Sequence, residues 1–213
     1  MLDLGYAQIE DVEVLGLEKA VRASKYPMAV DTHDCTTEII DRTRSLGSVA
    51  TGTGHDNFLK GIIVQFDLSM TVKMSVELER YHFIDFISSQ STMHRITKFD
   101  LYKSYIKYVD KRCIDVIAEK VAEYNNIIAE RKNFEKNSDD WNRLNEMAKE
   151  KYLEILYSNP CGMILTARMT TNYQQLKTMY QQRKNHRLPE WRVFCEWCET
   201  LPHFMELCFN IGE

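Results

Sequence analysis

The chain has 213 residues and a formal net charge of −4, with 44% hydrophobic and 27% charged residues. That balance suits a compact soluble domain with a substantial core, and it excludes a surface that attracts polyanions as a whole, so any anion site must come from a local basic cluster. No apolar run approaches the ~18 residues needed to cross a bilayer, and Met1-Leu-Asp-Leu-Gly5 lacks a basic start followed by an apolar stretch, so no signal peptide is expected.

Six irregularly spaced cysteines (Cys35, Cys113, Cys161, Cys195, Cys198 and Cys208) in a chain too large to need staples point to reduced thiols and a cytoplasmic location. Only four prolines and eight glycines are present, and no low-complexity linker or internal repeat interrupts the chain. A single domain over residues 1–213 is therefore expected.

In chain order, Val12 to Met28 reads as a short strand, a turn at Gly16 and a short helix ended by Pro27. Thr36 to Leu46 reads as a helix with Ile39, Ile40 and Leu46 on its apolar side and Gly47 as its C-terminal stop. A turn-rich loop, Thr51-Gly-Thr-Gly-His-Asp-Asn57, then feeds Ile62 to Met70. There Val64, Phe66, Leu68 and Met70 alternate with Gln65, Asp67 and Ser69, the period of a half-buried strand. Thr71 can cap a helix, which should end near Arg80.

Leu101 to Val109, rich in aromatics, reads as helical. Ile114, Ile117, Val121, Tyr124 and Ile128 follow at spacings of three or four, which predicts a long amphipathic helix. Glu130 to Asp140 reads as an exposed turn. Trp141 to Tyr157 is a second long helix with Leu144, Ala148, Tyr152 and Ile155 on one stripe, stopped by Asn159-Pro160. Met163 to Met169 is a short strand or an extended link. Thr171 or Asn172 caps a helix carrying Tyr173, Leu176 and Tyr180, closed by Arg183-Lys-Asn-His-Arg187. Pro189 suits the first turn of a further helix with Trp191, Phe194, Cys195 and Cys198. The class is α+β, with many helices around a modest sheet.

Two segments could carry chemistry. Glu79 to Arg95 offers arginine, histidine, serine and glutamine side chains, the groups that hold a phosphate and a uracil edge; a polar loop with a capping serine run explains the composition equally well. Arg183 to Arg187 could form an anion site, or could simply place cations at a helix C-terminus, where each contributes roughly 0.3–1 kcal/mol. Cys195-Glu-Trp-Cys198 has no second pair for zinc and lies inside a helix, so buried thiols are expected. Asp31-Thr-His-Asp34 reads as a capping loop rather than a metal cluster, and Cys161 has no activating base nearby. There is no phosphate-binding P-loop and no dinucleotide glycine fingerprint.

At Gly54-His55 and Arg80-Tyr81-His82 the chain resembles the flavin-dependent thymidylate synthases. That family carries R-H-R-x-x-S-x-N-E-x-S-x-R-Y after an upstream G-H-E-T-P-F-E-H segment, and Gly54-His-Asp-Asn-Phe58 stands at the matching interval before Arg80. Val21-Arg22-Ala23 is similar to the family's early V-R-A-A-R helix. Asn172 precedes Arg183 by eleven positions, as an asparagine precedes a key arginine in the family, and Pro160 keeps its interval from Asn172. Relatives carrying R-Y-H-F and S-S-Q-S-T-M-H-R are closer still. The likeness spans most of the chain and is weakest in the middle helical region.

The resemblance implies a central antiparallel sheet flanked by helices and a homotetramer with active sites at subunit junctions. It implies reductive methylation of dUMP to dTMP, with FAD taking hydride from NADPH and methylenetetrahydrofolate giving the carbon. Arg183 takes the position of the arginine that activates the uracil. Arg80 would hold nucleotide or flavin phosphates. His55, Asn57, Tyr81, His82, Asn172 and Arg187 take flavin-side positions, and Ser89, Ser91 and Arg95 take nucleotide positions if one inserted residue is allowed. No metal and no nucleic-acid partner is implied.

The pattern also departs from the family. His82 replaces the second motif arginine, Asp85 the first serine, Ile87-Ser88 the N-E pair, and Glu77 a glutamine. Leu156 replaces an arginine before Pro160, and Pro27 a flavin-contacting serine. Added carboxylates beside a phosphate repel it; Arg95, Arg168 or Lys184 could compensate. Two alternatives follow: hydroxymethylation of dUMP or dCMP, and a non-catalytic nucleotide- or nucleic-acid-binding relative, the latter opposed by the net negative charge.

Overall fold

The computed structural model describes residues 8–212, so the expectation for Met1 to Gly5 lies outside the described residues. The elements are β1 (Gln8–Leu15), α1 (Leu17–Ala23), α2 (Asp41–Ser48), β2 (Ile63–Thr71), α3 (Val72–Leu78), β3 (Ile84–Ser89), α4 (Thr92–Arg95), α5 (Lys111–Arg131), α6 (Asp139–Ser158), β4 (Ile164–Asn172), α7 (Tyr173–Arg183), α8 (Pro189–Glu199) and α9 (Phe204–Phe209). The chain divides into two compact units. One comprises residues up to Met70, Met74–Ser89 and residues from Thr166 onward; the other comprises Thr71–Lys73 and Gln90–Leu165.

The first unit is built on a four-stranded sheet in the order β1-β2-β4-β3. β1 pairs antiparallel with β2, and β3 with β4. Ser69 and Thr166 join side chains at 2.7 Å, and the Tyr173 N–H donates to the Ile62 carbonyl at 3.0 Å, so β2 and β4 also run antiparallel. Alternation decides β2 as expected: Val64, Phe66, Leu68 and Met70 are buried. Their core is completed by α7 and α8, with Phe66 against Trp197 at 4.6 Å between ring centroids.

Gly16 turns the chain from β1 into α1 at φ 79°, where a Cβ would meet the Gly61 carbonyl oxygen at 2.5 Å. α2 starts at Asp41, so Thr36 to Ile40 is not helical, and Gly47 lies within α2 instead of ending it. A Cβ on Gly47 would stand 2.1 Å from the Leu207 carbonyl oxygen of α9; the glycine permits close approach rather than a left-handed stop.

The serine-rich segment after Glu79 is not simply a loop. It contains β3, an edge strand whose register against β4 sets Ile84 opposite Thr171 and Phe86 opposite Met169. Only Ile84 of β3 is buried, so pairing rather than apolar alternation makes the strand.

α7 is buried along most of its length, and Asn172 caps it by accepting the Gln175 N–H at 2.9 Å. Within α7, Lys177 is fully buried and donates to the carbonyls of Gly47, at 2.6 Å, and Val49. It also pairs with fully buried Asp56 at 3.3 Å. Asp56 in turn accepts from the Gln174 amide at 2.9 Å. Two buried charges are tolerated because each is hydrogen-bonded as well as paired.

In the second unit, α5 and α6 pack as an antiparallel hairpin tied by Lys120–Glu154 and Lys151–Glu123. Asp110 caps α5 and Ser138 caps α6. The expected helix over Leu101 to Val109 is absent: a single 3-10 turn, Leu101–Lys103, is followed by extended chain in which Tyr105 bridges Met163. The Ile106 N–H donates to Gly162 at 3.0 Å and the Ile164 N–H to Ser104 at 2.7 Å, so aromatic and β-branched residues here pair with extended chain instead of coiling. Among the described residues no helix is long and apolar enough to cross a membrane.

Candidate functional site

A cleft of about 390 Å³ in the first unit is lined by Arg80, Tyr81, His82 and Phe83 on one side and Gln175, Thr178, Gln182 and Arg183 on the other. The first four follow α3, where the Tyr81 N–H closes onto the Leu78 carbonyl at 2.9 Å. The Thr171 hydroxyl donates to the Phe83 carbonyl at 2.7 Å and pins the segment to β4. The other four come from one face of α7, as the spacing 175, 178, 182 requires.

Arg183 is held from several directions. Its Nε donates to the Tyr81 hydroxyl at 2.7 Å, and that hydroxyl donates to Gln182 Oε1 at 3.0 Å. Its Nη1 donates to Glu77 Oε2 at 3.1 Å. The guanidinium lies 4.7 Å from the Trp191 ring centroid and 5.5 Å from that of Tyr81. The same Glu77 oxygen accepts from Trp191 Nε1 at 3.1 Å and stands 3.5 Å from His186 Nε2. The Arg183 and Glu77 side chains are only 11% and 13% exposed, so this is a mostly desolvated pair in which one carboxylate balances the arginine. Arg80 and His82, in contrast, are exposed and make no ion pair or side-chain hydrogen bond with another described residue.

Of the residues expected to act together, the structure brings Arg80, Tyr81, His82 and Arg183 to one cleft. His55 and Asn57 are exposed in the loop before β2 and do not line it. Asn172 is engaged as the cap of α7, Ser89 ends β3 and Arg187 is exposed beyond α7; none of them lines the cleft. Ser91 and Arg95 belong to the second unit, at the two ends of α4. Gln175, Thr178 and Gln182 were not singled out from the sequence; their helical spacing ahead of Arg183 is the signal that could have found them.

The other candidates are structural in their surroundings. Asp31 accepts the His33 N–H at 2.8 Å, and that hydrogen bond holds its carboxyl below the ordinary range. Among the described residues no group of three His, Cys, Asp or Glu side chains is disposed to hold a metal. Cys195 and Cys198 are buried in α8; burial pushes the Cys195 thiol up to about 12 and that of Cys198 well above its usual value, so both stay protonated.

The cleft offers a free guanidinium, an imidazole, two aromatic faces, two amides and a hydroxyl, which suit a planar heterocycle carrying a phosphate. Its volume is at the small end of the roughly 300–1,000 Å³ usual for ligand pockets. It therefore has room for one planar group rather than for a whole dinucleotide.

No protein-family model and no curated protein matches the sequence. Solved structures do match. The flavin-dependent thymidylate synthase ThyX of Helicobacter pylori, complexed with FAD and dUMP, superposes with a TM-score of 0.66 at 12% identity, covering 95% of this chain and 98% of that one. A second structure of ThyX from Helicobacter pylori with FAD and dUMP gives 0.64 at 13% identity over 95% and 97% of the two chains. The UMP/dUMP methylase PolB of Streptomyces cacaoi, bound with 5-Br dUMP, gives 0.54 at 16% identity over 95% and 91%. The α+β chain described above thus has the fold of these proteins.

Proposed function

We propose that this chain is a flavin-dependent enzyme acting on a pyrimidine deoxynucleotide, and that its reaction is the reductive methylation of dUMP to dTMP. The observation that carries this reading is the convergence of Arg80 and Arg183, distant in sequence, on one cleft. The fold shared with proteins that bind FAD and dUMP, or methylate UMP and dUMP, supports it.

In this reading the exposed guanidinium of Arg80 neutralises a phosphate, of the nucleotide or of the flavin. Tyr81, His82 and Phe83 flank a flat ring, and Gln175, Thr178 and Gln182 supply hydrogen bonds to its polar edge. Arg183, prevented from swinging by Tyr81, Glu77 and Trp191, directs its guanidinium toward charge that develops on the uracil carbonyl. When bound, FAD would supply reducing equivalents taken from NADPH, and methylenetetrahydrofolate would supply the carbon.

His55, Asn57, Asn172 and Arg187 on the flavin side, and Ser89, Ser91 and Arg95 on the nucleotide side, would complete sites shared by subunits of a cytoplasmic homotetramer. Support for association comes from β3, an edge strand with Phe86 and Ile87 exposed on it and Phe83 exposed beside it.

The ion pair between Glu77 and Arg183 favours a second reading, nucleotide binding without turnover, because a balanced arginine is a weaker electrophile. Incubating the protein with dUMP, FAD, NADPH and methylenetetrahydrofolate and resolving products by mass spectrometry separates the readings. dTMP is expected. Hydroxymethyl-dUMP, or a hydroxymethyl product from dCMP, would redirect the reaction while keeping the site. Bound dUMP with no product would select the second reading.

A further inference from the structure

The second unit contains a larger cleft, about 680 Å³, between the turn of chain at 93–98 and the α5–α6 hairpin. Its origin is legible in the stripe of α6. Leu144, Ala148, Tyr152 and Ile155 face inward, and the small Ala148 leaves room where its neighbours fill the interface. Tyr152 packs against Tyr124 of α5 with 5.2 Å between ring centroids. The Tyr152 hydroxyl donates to the Met93 carbonyl at 3.1 Å, which fixes the ring. Met93, Ile128 and Leu153 add apolar wall.

The charged side chains that line the cleft, Lys98, Arg131 and Lys149, are all basic. His94, Lys98, Arg131 and Lys149 line the cleft, whereas the acidic side chains of the same two helices, among them Glu119, Glu123, Glu146 and Glu150, do not. Lys149 is balanced by Glu146 at 2.7 Å. Arg131 is not balanced. It is half-buried, donates to Asn145 Oδ1 and lies 5.1 Å from the Trp141 ring centroid, and both partners are neutral. Lys98 makes no ion pair with a described residue. A water-filled gap in a helical hairpin would explain the volume. It would not explain why a partly desolvated guanidinium, costly without a counter-ion, faces a cleft whose lining holds no carboxylate.

We propose that this cleft is a ligand site in its own right, for a small planar aromatic anion. Its ring system lies against Tyr124 and Tyr152, and its carboxylate, sulfonate or phosphate meets Arg131 and Lys98. The two tyrosine rings, tilted 58° to one another, offer one face and one edge to an aromatic ring, and the unbalanced cations set the charge of the ligand.

The test is a fluorescence titration of the full chain with anilinonaphthalene sulfonate, beside the uncharged phenylnaphthylamine, on wild type and on two variants. Leu153→Trp fills the cleft from an exposed wall, and Arg131→Gln removes the charge. The expected result is one saturable site for the sulfonate that weakens about tenfold or more in each variant, as loss of a charge-assisted contact predicts, with binding of the neutral dye unaffected by Arg131→Gln. Equal affinity of wild type for the two dyes, or sulfonate binding undiminished in Leu153→Trp, overturns the proposal. Should Leu153→Trp lose the helical circular dichroism of wild type, Arg131→Gln decides alone: unchanged sulfonate affinity in that variant overturns the proposal.

Discussion

At the scale of single residues, the proposed chemistry turns on Arg183 and its partner Glu77. In the proposed reaction Arg183 acts through its guanidinium, and it also balances the mostly desolvated Glu77 carboxylate. In Arg183→Ala, Glu77 keeps Trp191 Nε1 and remains near His186. The variant should therefore retain its circular dichroism at room temperature, melt at a lower temperature because Glu77 loses its counter-ion, and lose turnover of dUMP; unchanged turnover would remove Arg183 from the reaction. Glu77→Gln keeps the acceptor for Trp191 and removes the charge that balances Arg183. Because a carboxylate repels an incoming phosphate or oxyanion, dUMP affinity measured by calorimetry should rise about tenfold, the equivalent of roughly 1.4 kcal/mol. A fall in affinity would mean that the carboxylate orients Arg183 productively.

Arg80, Tyr81, His82 and Arg183 were legible in the sequence because they sit at motif intervals. Gln175, Thr178 and Gln182 were not, since polar residues on a helix carry no mark of which face meets a cleft. The pairing of Glu77 with Arg183 depends on tertiary packing of α3 and α7 and was visible only as a substitution of glutamine by glutamate.

At the scale of elements, β2, α5, α6, α7 and α8 follow from periodicity and caps, and the ends of β2 and α6 lie within two residues of those the pattern predicts. Of the elements made by long-range pairing, β1 and β4 were read in part and β3 was not. β3 exists because β4 lies beside it, and the chain from Ser104 to Ile106 is extended because Met163 and its neighbours offer backbone partners. A glycine near a helix end has two uses, and at Gly47 only the approach of Leu207 shows which applies. Gly47→Ala should destabilise the fold by roughly 1–3 kcal/mol, the usual cost of overpacking, seen as a lower midpoint in urea. A neutral outcome would mean that α9 can shift away from α2.

The buried pair of Lys177 and Asp56 joins α7 to the loop before β2, and the sequence hid it because the flanking His55 and Asn57 drew the functional reading. Asp56→Ala leaves a buried ammonium without its counter-ion and should cost about 3–5 kcal/mol. A midpoint within error of wild type would show that the two carbonyls of Gly47 and Val49 suffice for Lys177.

At the scale of the whole molecule, structural matches at 12–16% identity span 95% of this chain. A framework of sheet and helices outlasts sequence likeness because burial pattern and pairing tolerate many side chains, whereas a site tolerates few. The class and the sheet were therefore readable, and the cleft only where motif residues line it. In the proposed function the cleft of Arg80 and Arg183 takes the pyrimidine nucleotide or the flavin ring, beside the rest of the cofactor. The most direct test of that claim is titration of FAD into the full protein, with and without dUMP, followed by flavin absorbance and fluorescence. Saturable uptake that perturbs the flavin spectrum, responds to dUMP and weakens in Arg80→Ala is the predicted result. A flavin that stays spectroscopically free at every protein concentration would contradict it.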